Sequence, residues 1–414
     1  MKRFILRATL LPLVLLSGFV IAQQPAGEPI KVGAVLSLTG PGAGLGGPER
    51  NGIQLAEKRI NERGGIRGRP LKVIIEDDGS KPDIAKSKAE SLIYGEKVVA
   101  MLGPSLTAST GAVASVTHSI QLPQLCMTGL GPPIESTYKS LFHMMPPQML
   151  NAKAMLEYIA KGLKAKKLGV LHDSGYGQLV MTHILNHYKD YGIQIVATEK
   201  FEVGATDVST QAAKVRAAEP EVVGVIATSP VPFRNARQVR ITQPIVSAIG
   251  SSSYEYVKGM GEFADDIVFA EFIVSEDPLP HQKEFVELFK KEKGTLPKSY
   301  DAAGWDATHV LAQALEKAGP DSGSAAIAAA IRRPIIAGLA RAINGDIDRA
   351  GEAVRHVLRV VHATELLDRD AHARLGGGQD AVGGGDRLAG PFDQPRGTLG
   401  HEIVVALHLS EGHP

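Results

Sequence analysis

"KVGAVLSLTGPGAGLGGPERNGIQLAEKRI", residues 31–60, opens on an apolar, β-branched run, Lys31–Leu38. It passes Gly42, Gly44 and Gly47 into an amphipathic helix over Asn51–Glu62, with Ile53, Ala56 and Ile60 on one face. A second strand, Leu71–Ile75, ends in Glu76, Asp77 and Asp78. Strand, G-x-G-x-x-G, helix, strand, acid is the order of a dinucleotide-binding unit. The detail departs from it. Thr39-Gly40-Pro41 intervenes between the strand and the glycines, and Pro48 follows Gly47. The expected element is a long, proline-bounded loop facing a ligand, not a tight phosphate turn. No Gly-Lys-Ser/Thr follows either, so a P-loop does not fit.

Outward from that unit, strand-like and helix-like runs alternate to about residue 320. The strands include Val32–Leu38, Leu71–Ile75, Val98–Leu102, Leu168–Leu171, Gln194–Ala197, Val222–Ala227, Ile245–Ala248 and Ile267–Ala270. They are short and β-branched, as parallel strands covered on both faces are. Helical segments fall between them, among them Pro82–Tyr94, Ala152–Leu163, Leu179–Tyr191, Gln211–Ala217, His281–Lys293 and Ala302–Lys317. This alternation specifies an α/β fold with doubly wound parallel sheets. A chain of 414 residues exceeds what one core usually holds, so two domains are expected. Met144-Met145-Pro146-Pro147, after a full β/α set, is the expected crossing between them.

The ends carry their own signals. Lys2, Arg3 and Arg7 precede an apolar run, Leu10–Ile21, and Val20 and Ala22 stand at the key positions of a small-residue cleavage site. Residues 1–22 read as a secretory signal peptide, too short to span a bilayer as a retained helix. The single cysteine, Cys126, offers neither a lipid anchor nor a disulfide. The expectation is a soluble periplasmic protein, in a compartment where nicotinamide and adenine nucleotides are scarce. A net charge of +1 gives no reason to expect nucleic acid or an anionic membrane surface. From Ile336 to Pro414 there is no lysine or tyrosine, but there are eight arginines, six of the 13 histidines, and the runs Gly376–Gly378 and Gly383–Gly385. One reading of this change is a reading-frame shift near Pro334; the other is a genuine extra module. Poor packing is expected there.

Two stretches sharpen the picture. "INERGGIRGRPLKVIIEDD" (60–78) ends a helix at Gly64-Gly65 and turns back into a strand. "VVAMLGPSLTASTGAVA" (98–114) is a strand, a small-residue loop and a helix start carrying Ser105, Thr107, Ser109 and Thr110. Hydroxyls at a helix N-terminus suit a carboxylate, and they suit simple capping equally well. Other constellations carry less. His183 and His187 are spaced as metal ligands can be, but Ile184 stands where a metalloprotease glutamate would, and the segment reads as a surface helix. Glu76-Asp77-Asp78 reads as an acidic strand end, and Trp305 as a core helix position. No spaced nucleophile motif appears, so no catalysis and no cofactor is expected.

In order and motif, "GAVLSLTGPGAGLG", "NERGGIRGRPL", "VVAMLGPSLTAS", "LGVLHDSGYGQ", "PFRNARQVR" and "YDAAGWDATHVLAQALEKAG" resemble the extracytoplasmic solute-binding proteins of ABC importers, branched-chain-amino-acid type. The resemblance runs from about Pro29 to Gly319. It implies a type I periplasmic binding protein fold, two Rossmann-like doubly wound lobes joined by crossing hinge segments. Lobe 1 would hold residues 29–146 plus 276–335, lobe 2 residues 147–275, with 336–414 outside the pattern. The loop after the first strand then faces the cleft, and its glycines let backbone pass close to ligand.

The same resemblance implies a ligand site. The hydroxyl that holds a ligand carboxylate falls on Thr107, flanked by Ser105, Ala108 and, from the first loop, Leu45. The second supporting loop falls on Thr128, Gly129 and Leu130, with Leu130 replacing a usual hydroxyl. Tyr176 closes from the other lobe. The aromatic that meets an amino-acid ammonium falls on Thr228, and the acid that neutralises it falls near Ile249. A buried ammonium without a counter-charge costs several kcal/mol. The expected ligand is therefore a carboxylate with an uncharged body, such as an aromatic acid, ahead of a branched-chain amino acid. The expected partner is an inner-membrane ABC permease, and the chain is expected to be a monomer with no cofactor. An exported sensor that reports occupancy to a membrane receptor is the alternative.

Overall fold

The structure, a computed structural model, describes residues 27–131, 137–248, 253–273, 275, 276, 278, 280, 282–332 and 359–362. Residues 1–22, read from the sequence as a signal peptide, Ile249 and nearly all of 336–414 lie outside the described residues.

Among the described residues eleven strands form two sheets. The first joins β1 (Ile30–Leu36), β2 (Leu71–Asp77), β3 (Met101–Leu102), β4 (Gln124–Cys126) and β5 (Leu141–His143) in the order β2-β1-β3-β4-β5, with every pairing parallel. The second joins β6 (Lys167–Asp173), β7 (Gln194–Phe201), β8 (Val222–Ile226), β9 (Ile245–Ser247), β10 (Ile267–Glu271) and β11 (Arg359–His362) in the order β11-β10-β9-β8-β6-β7. Only β11 runs antiparallel, against β10. Both sheets reverse their winding once, between β1 and β3 and between β6 and β8. Loops at the carboxyl ends of strands flanking such a reversal splay apart and leave a crevice.

The inner strands of each sheet are buried on both faces and are apolar runs without alternation, whereas the edge strands β2 and β7 are only partly covered. β8 is buried at all five positions, and so is β10. On the first sheet α1 (Ala43–Glu62) packs against α10 (Ser299–Ala318), so a late segment of the chain completes the core around Ile53, Leu102, Ala303, Leu311 and Leu315. The two helices touch backbone to backbone. A Cβ on Gly52 would lie 1.9 Å from Asp301 O, and one on Gly304 2.2 Å from Glu49 O. Trp305 sits on this face against Phe285 of α9 (Lys283–Lys293), with ring centroids 5.1 Å apart, as a packing residue.

Residues 144–147 link β5 to α4 (Gln148–Glu157) and so pass from the first sheet to the second. The second sheet is covered by α4, α5 (Tyr176–His187), α6 (Ser209–Ala217), α7 (Val231–Gln238) and α8 (Tyr254–Met260).

Three expectations need correcting. The glycine stretch is not a loop up to Asn51: α1 begins at Ala43 and contains Gly44, Gly46, Gly47 and Pro48. The reason is close approach, because a Cβ on Gly46 would meet Ser37 O at 2.2 Å. β4 and β5, three residues each, were not anticipated. In the tail, residues 359–362 form a strand on the edge of the second sheet.

The acidic strand end proves to be a loop clamp. Asp77 Oδ1 accepts from the Leu38, Thr39 and Gly79 amides, Asp77 Oδ2 from the Thr39 hydroxyl, and Asp78 Oδ1 from the Ser80 amide. Among the described residues no helix is long and apolar enough to cross a membrane.

Candidate functional site

Where the carboxyl ends of the two sheets face each other lies a cavity of about 290 Å³. Ligand pockets start near ~300 Å³, so this one suits a ligand of amino-acid or benzoate size. Seven of the ten residues singled out in the sequence line it: Leu45, Ser105, Thr107, Ala108, Thr128, Tyr176 and Thr228. Gly129 and Leu130 are buried beside Thr128 but outside the lining, and Ile249 lies outside the described residues. A larger cavity of about 590 Å³ adjoins it along the same cleft. The neighbours Gly44/Leu45, Val203/Gly204 and Thr228/Ser229 are divided between the two. The smaller carries the residues that the sequence singled out.

On the first-lobe wall, α3 (Thr107–Ser119) points its N-terminus at the cavity, and no side chain caps it. Its first-turn amides therefore lack intrahelical partners, and the helix dipole favours an anion there. Thr107 Oγ1 and Thr128 Oγ1 stand 3.3 Å apart. Ser109 Oγ is buried and has no hydrogen-bond partner. Thr110 is turned away, its hydroxyl donating to Pro104 O at 3.4 Å. Ser105 is engaged inward: its hydroxyl accepts from the Ser37 amide at 3.0 Å and donates to Glu49 Oε2. Glu49 is fully buried, and its Oε1 has no partner. Burial pushes its carboxyl up to about 8, with the Asp78 charge adding to the effect and the Ser105 bond opposing it.

The second-lobe wall is built around Asp173 at the end of β6. Its Oδ1 accepts from the Gly175 and Gly177 amides at 3.0 and 2.8 Å, and its Oδ2 from the Thr228 amide and hydroxyl at 2.9 and 3.1 Å. Burial still holds this carboxyl above its usual range, although all four bonds pull the other way. Thr228, aligned with the ammonium-binding position, thus spends its hydroxyl proton inside the protein. Tyr176 accepts from Asn151 Nδ2 at 2.9 Å, and burial raises its phenol. The phenols at this site stay protonated near neutral pH.

Among the lining residues that the sequence reading did not place in the site, two carry titratable groups. Tyr300, at the start of α10, is buried, and desolvation, with the neighbouring Tyr176, Glu49 and Glu271, raises its phenol well above the usual range. It lies in the quoted "YDAAGW" stretch, so the signal was present. Glu202, after β7, is exposed and takes the Ser174 hydroxyl on Oε2 at 2.7 Å. Among the described residues it is the one carboxylate in the cavity lining. Among the described residues no cluster of three or more His, Cys, Asp or Glu could hold a metal. His183 and His187 stay on the surface of α5.

These features match known proteins closely. The sequence model of a periplasmic binding protein family matches residues 29–365. The Leu/Ile/Val-binding protein homolog 7 of Brucella abortus is 26% identical over 323 residues, covering 71% of this chain and 78% of that protein. A branched-chain amino acid transporter substrate binding protein of Streptococcus pneumoniae, solved with isoleucine, superposes with a TM-score of 0.67 at 25% identity. That match covers 73% of this chain and 88% of the other. A solute binding protein of an ABC transporter from Rhodopseudomonas palustris, solved with 3,4-dihydroxybenzoic acid, shares the fold with a TM-score of 0.65 at 23% identity, over 73% and 84% of the two chains. The chain belongs to the periplasmic binding protein family and is a solute-binding protein of the ABC-transporter type, not an enzyme.

Proposed function

We propose that the smaller cavity captures a small carboxylate with an uncharged body, an aromatic acid ahead of a branched-chain amino acid, and that the loaded protein delivers it to an inner-membrane permease. The carboxylate would sit on the N-terminus of α3, with Thr107, Thr128 and the unpartnered Ser109 hydroxyl as donors. The observation that carries this reading is the commitment of Thr228 to Asp173. The wall that would meet an ammonium has its polar groups already paired. That the R. palustris protein of this fold was solved with an aromatic acid agrees with it.

A second reading rests on Glu202. An ammonium at the mouth of the cavity would find this carboxylate, and the S. pneumoniae protein was solved with isoleucine. Calorimetry on the exported protein with benzoate, 3,4-dihydroxybenzoate, leucine and isoleucine separates the two. The first reading expects the aromatic acids to bind and Glu202→Gln to leave them unchanged. Leucine binding that disappears in Glu202→Gln would establish the second.

Export belongs to the same proposal. Intact mass of the periplasmic form should place its N-terminus near Gln23, and retention of Met1 would contradict the signal-peptide reading.

A further inference from the structure

Beneath the α3 terminus lies a carboxyl group that the proposed binding mode does not use. Glu49, on α1, is completely excluded from solvent and faces Ser105, which lines the cavity. Ser105 Oγ already accepts from the Ser37 amide. A hydroxyl has one proton and two lone pairs, so one lone pair and the proton remain to be placed. With Glu49 ionised, the Ser105 proton must go to Glu49 Oε2, and a buried negative charge stands directly behind the anion site. With Glu49 neutral, its own O–H fills the second lone pair of Ser105, and the Ser105 proton is released toward the cavity.

We propose that Glu49 is a positioning residue that couples the capture of a carboxylate to the uptake of one proton: it holds the proton whenever the cavity holds an anion. This rests on the carboxylate reading above and deepens it. The step balances as ligand carboxylate plus one solvent proton plus ionised Glu49 giving the bound carboxylate and the neutral acid. No other reactant takes part.

The surroundings favour the neutral form. The titratable groups that face Glu49 are Asp78, on the turn after β2, and Tyr300, on α10. α10 also carries Asp301, whose Oδ2 accepts from the Lys298 amide at its own helix start. None of the three is a cation. Glu49 Oε1 has no partner to stabilise a charge, and the Gly304 backbone closes the space along α1. Burial and the nearby Asp78 place the titration close to neutral pH, where a bound anion shifts it further in the same direction.

The test is calorimetry with benzoate as the probe, on the mature protein and on Glu49→Gln, at pH 7, 8 and 9. Each titration is run in two buffers of different ionisation enthalpy. The amide of Glu49→Gln can donate to Ser105 as the neutral acid does, at any pH. The expected result for the unsubstituted protein is an affinity that falls toward about tenfold per pH unit above the Glu49 titration, with close to one proton taken up. Glu49→Gln should keep the pH 7 affinity within about threefold, with a flat profile and no proton uptake. The buffer comparison on the unsubstituted protein stands even if the variant does not fold. Benzoate binding with no proton uptake and no pH dependence, or a variant that keeps the slope, overturns the coupling and leaves the carboxylate reading intact. Absence of benzoate binding at pH 7 in both proteins overturns the carboxylate reading and the coupling with it.

Discussion

Asp173 holds Thr228 twice, through the Thr228 amide at 2.9 Å and its hydroxyl at 3.1 Å, and so ties the loop after β6 to the loop after β8 across the point where the sheet reverses. The other carboxylate oxygen fixes the start of α5. One buried side chain thereby shapes a whole wall of the cleft. Asp173→Asn turns an amide N–H toward donors that need an acceptor. It should destabilise the protein by about 2–4 kcal/mol in urea denaturation, the cost of unpaired buried polar groups. Thr228→Val, which loses only the hydroxyl bond, should cost about 1 kcal/mol.

Thr107→Val keeps the shape of the side chain and removes a donor from the proposed carboxylate grip. The affinity for benzoate should fall about tenfold to a hundredfold, the worth of a hydrogen bond to a charged group, with the thermal midpoint of the free protein nearly unchanged. Equal binding by the variant in calorimetry would remove Thr107 from the grip.

Glu49 makes the free protein's stability depend on pH, with a definite sign. Its folded value, about 8, lies above the 4.5 of an unperturbed glutamate. The folded state therefore binds the proton more tightly than the unfolded state does. The resulting stability is complete below pH 4.5, is lost as pH rises toward 8, and changes no further above it. The loss over that window is on the order of several kcal/mol. Urea denaturation at pH 5 and pH 8.5 should show Glu49→Gln gaining relative to the unsubstituted protein at the higher pH. Parallel changes in both would place the titration elsewhere.

Gly304→Ala forces a methyl group against the Glu49 carbonyl, where neither helix backbone can yield cheaply. A loss of about 3 kcal/mol or more is expected, at the upper end of overpacking costs. Gly47→Ala is the control. No atom lies within 4 Å of its Cβ position, and the residue is helical, so a gain of up to about 1 kcal/mol should appear in the same assay.

All eight strands read from apolar, β-branched runs exist; the inner ones such as β8 and β10, covered on both faces, leave an uninterrupted signal, and the edge strands β2 and β7 were legible from their β-branched cores. β4 and β5 left none: three residues of Gln124–Cys126 or Leu141–His143 are too few for any period to show. The start of α1 was misread because glycine and proline ordinarily break helices, whereas here Gly46 answers to Ser37 just past the end of β1, a contact no local pattern records. The candidate site's lining was legible at the hydroxyls of Ser105, Thr107 and Ser109, since helix-start chemistry is local. It was not legible that Thr228 is spent on Asp173, or that Glu49 lies under Ser105. Both pairings join residues more than fifty positions apart.

β11 lies along β10 in antiparallel register, Val268 opposite His362 and Glu271 opposite Arg359. Without it, the outer rim of β10 would present a row of unshared main-chain donors and acceptors, the kind of rim onto which another chain can add a strand. A chain cut back before Arg359 would gain a self-adhesive border, and its colloidal behaviour, not only its length, would change.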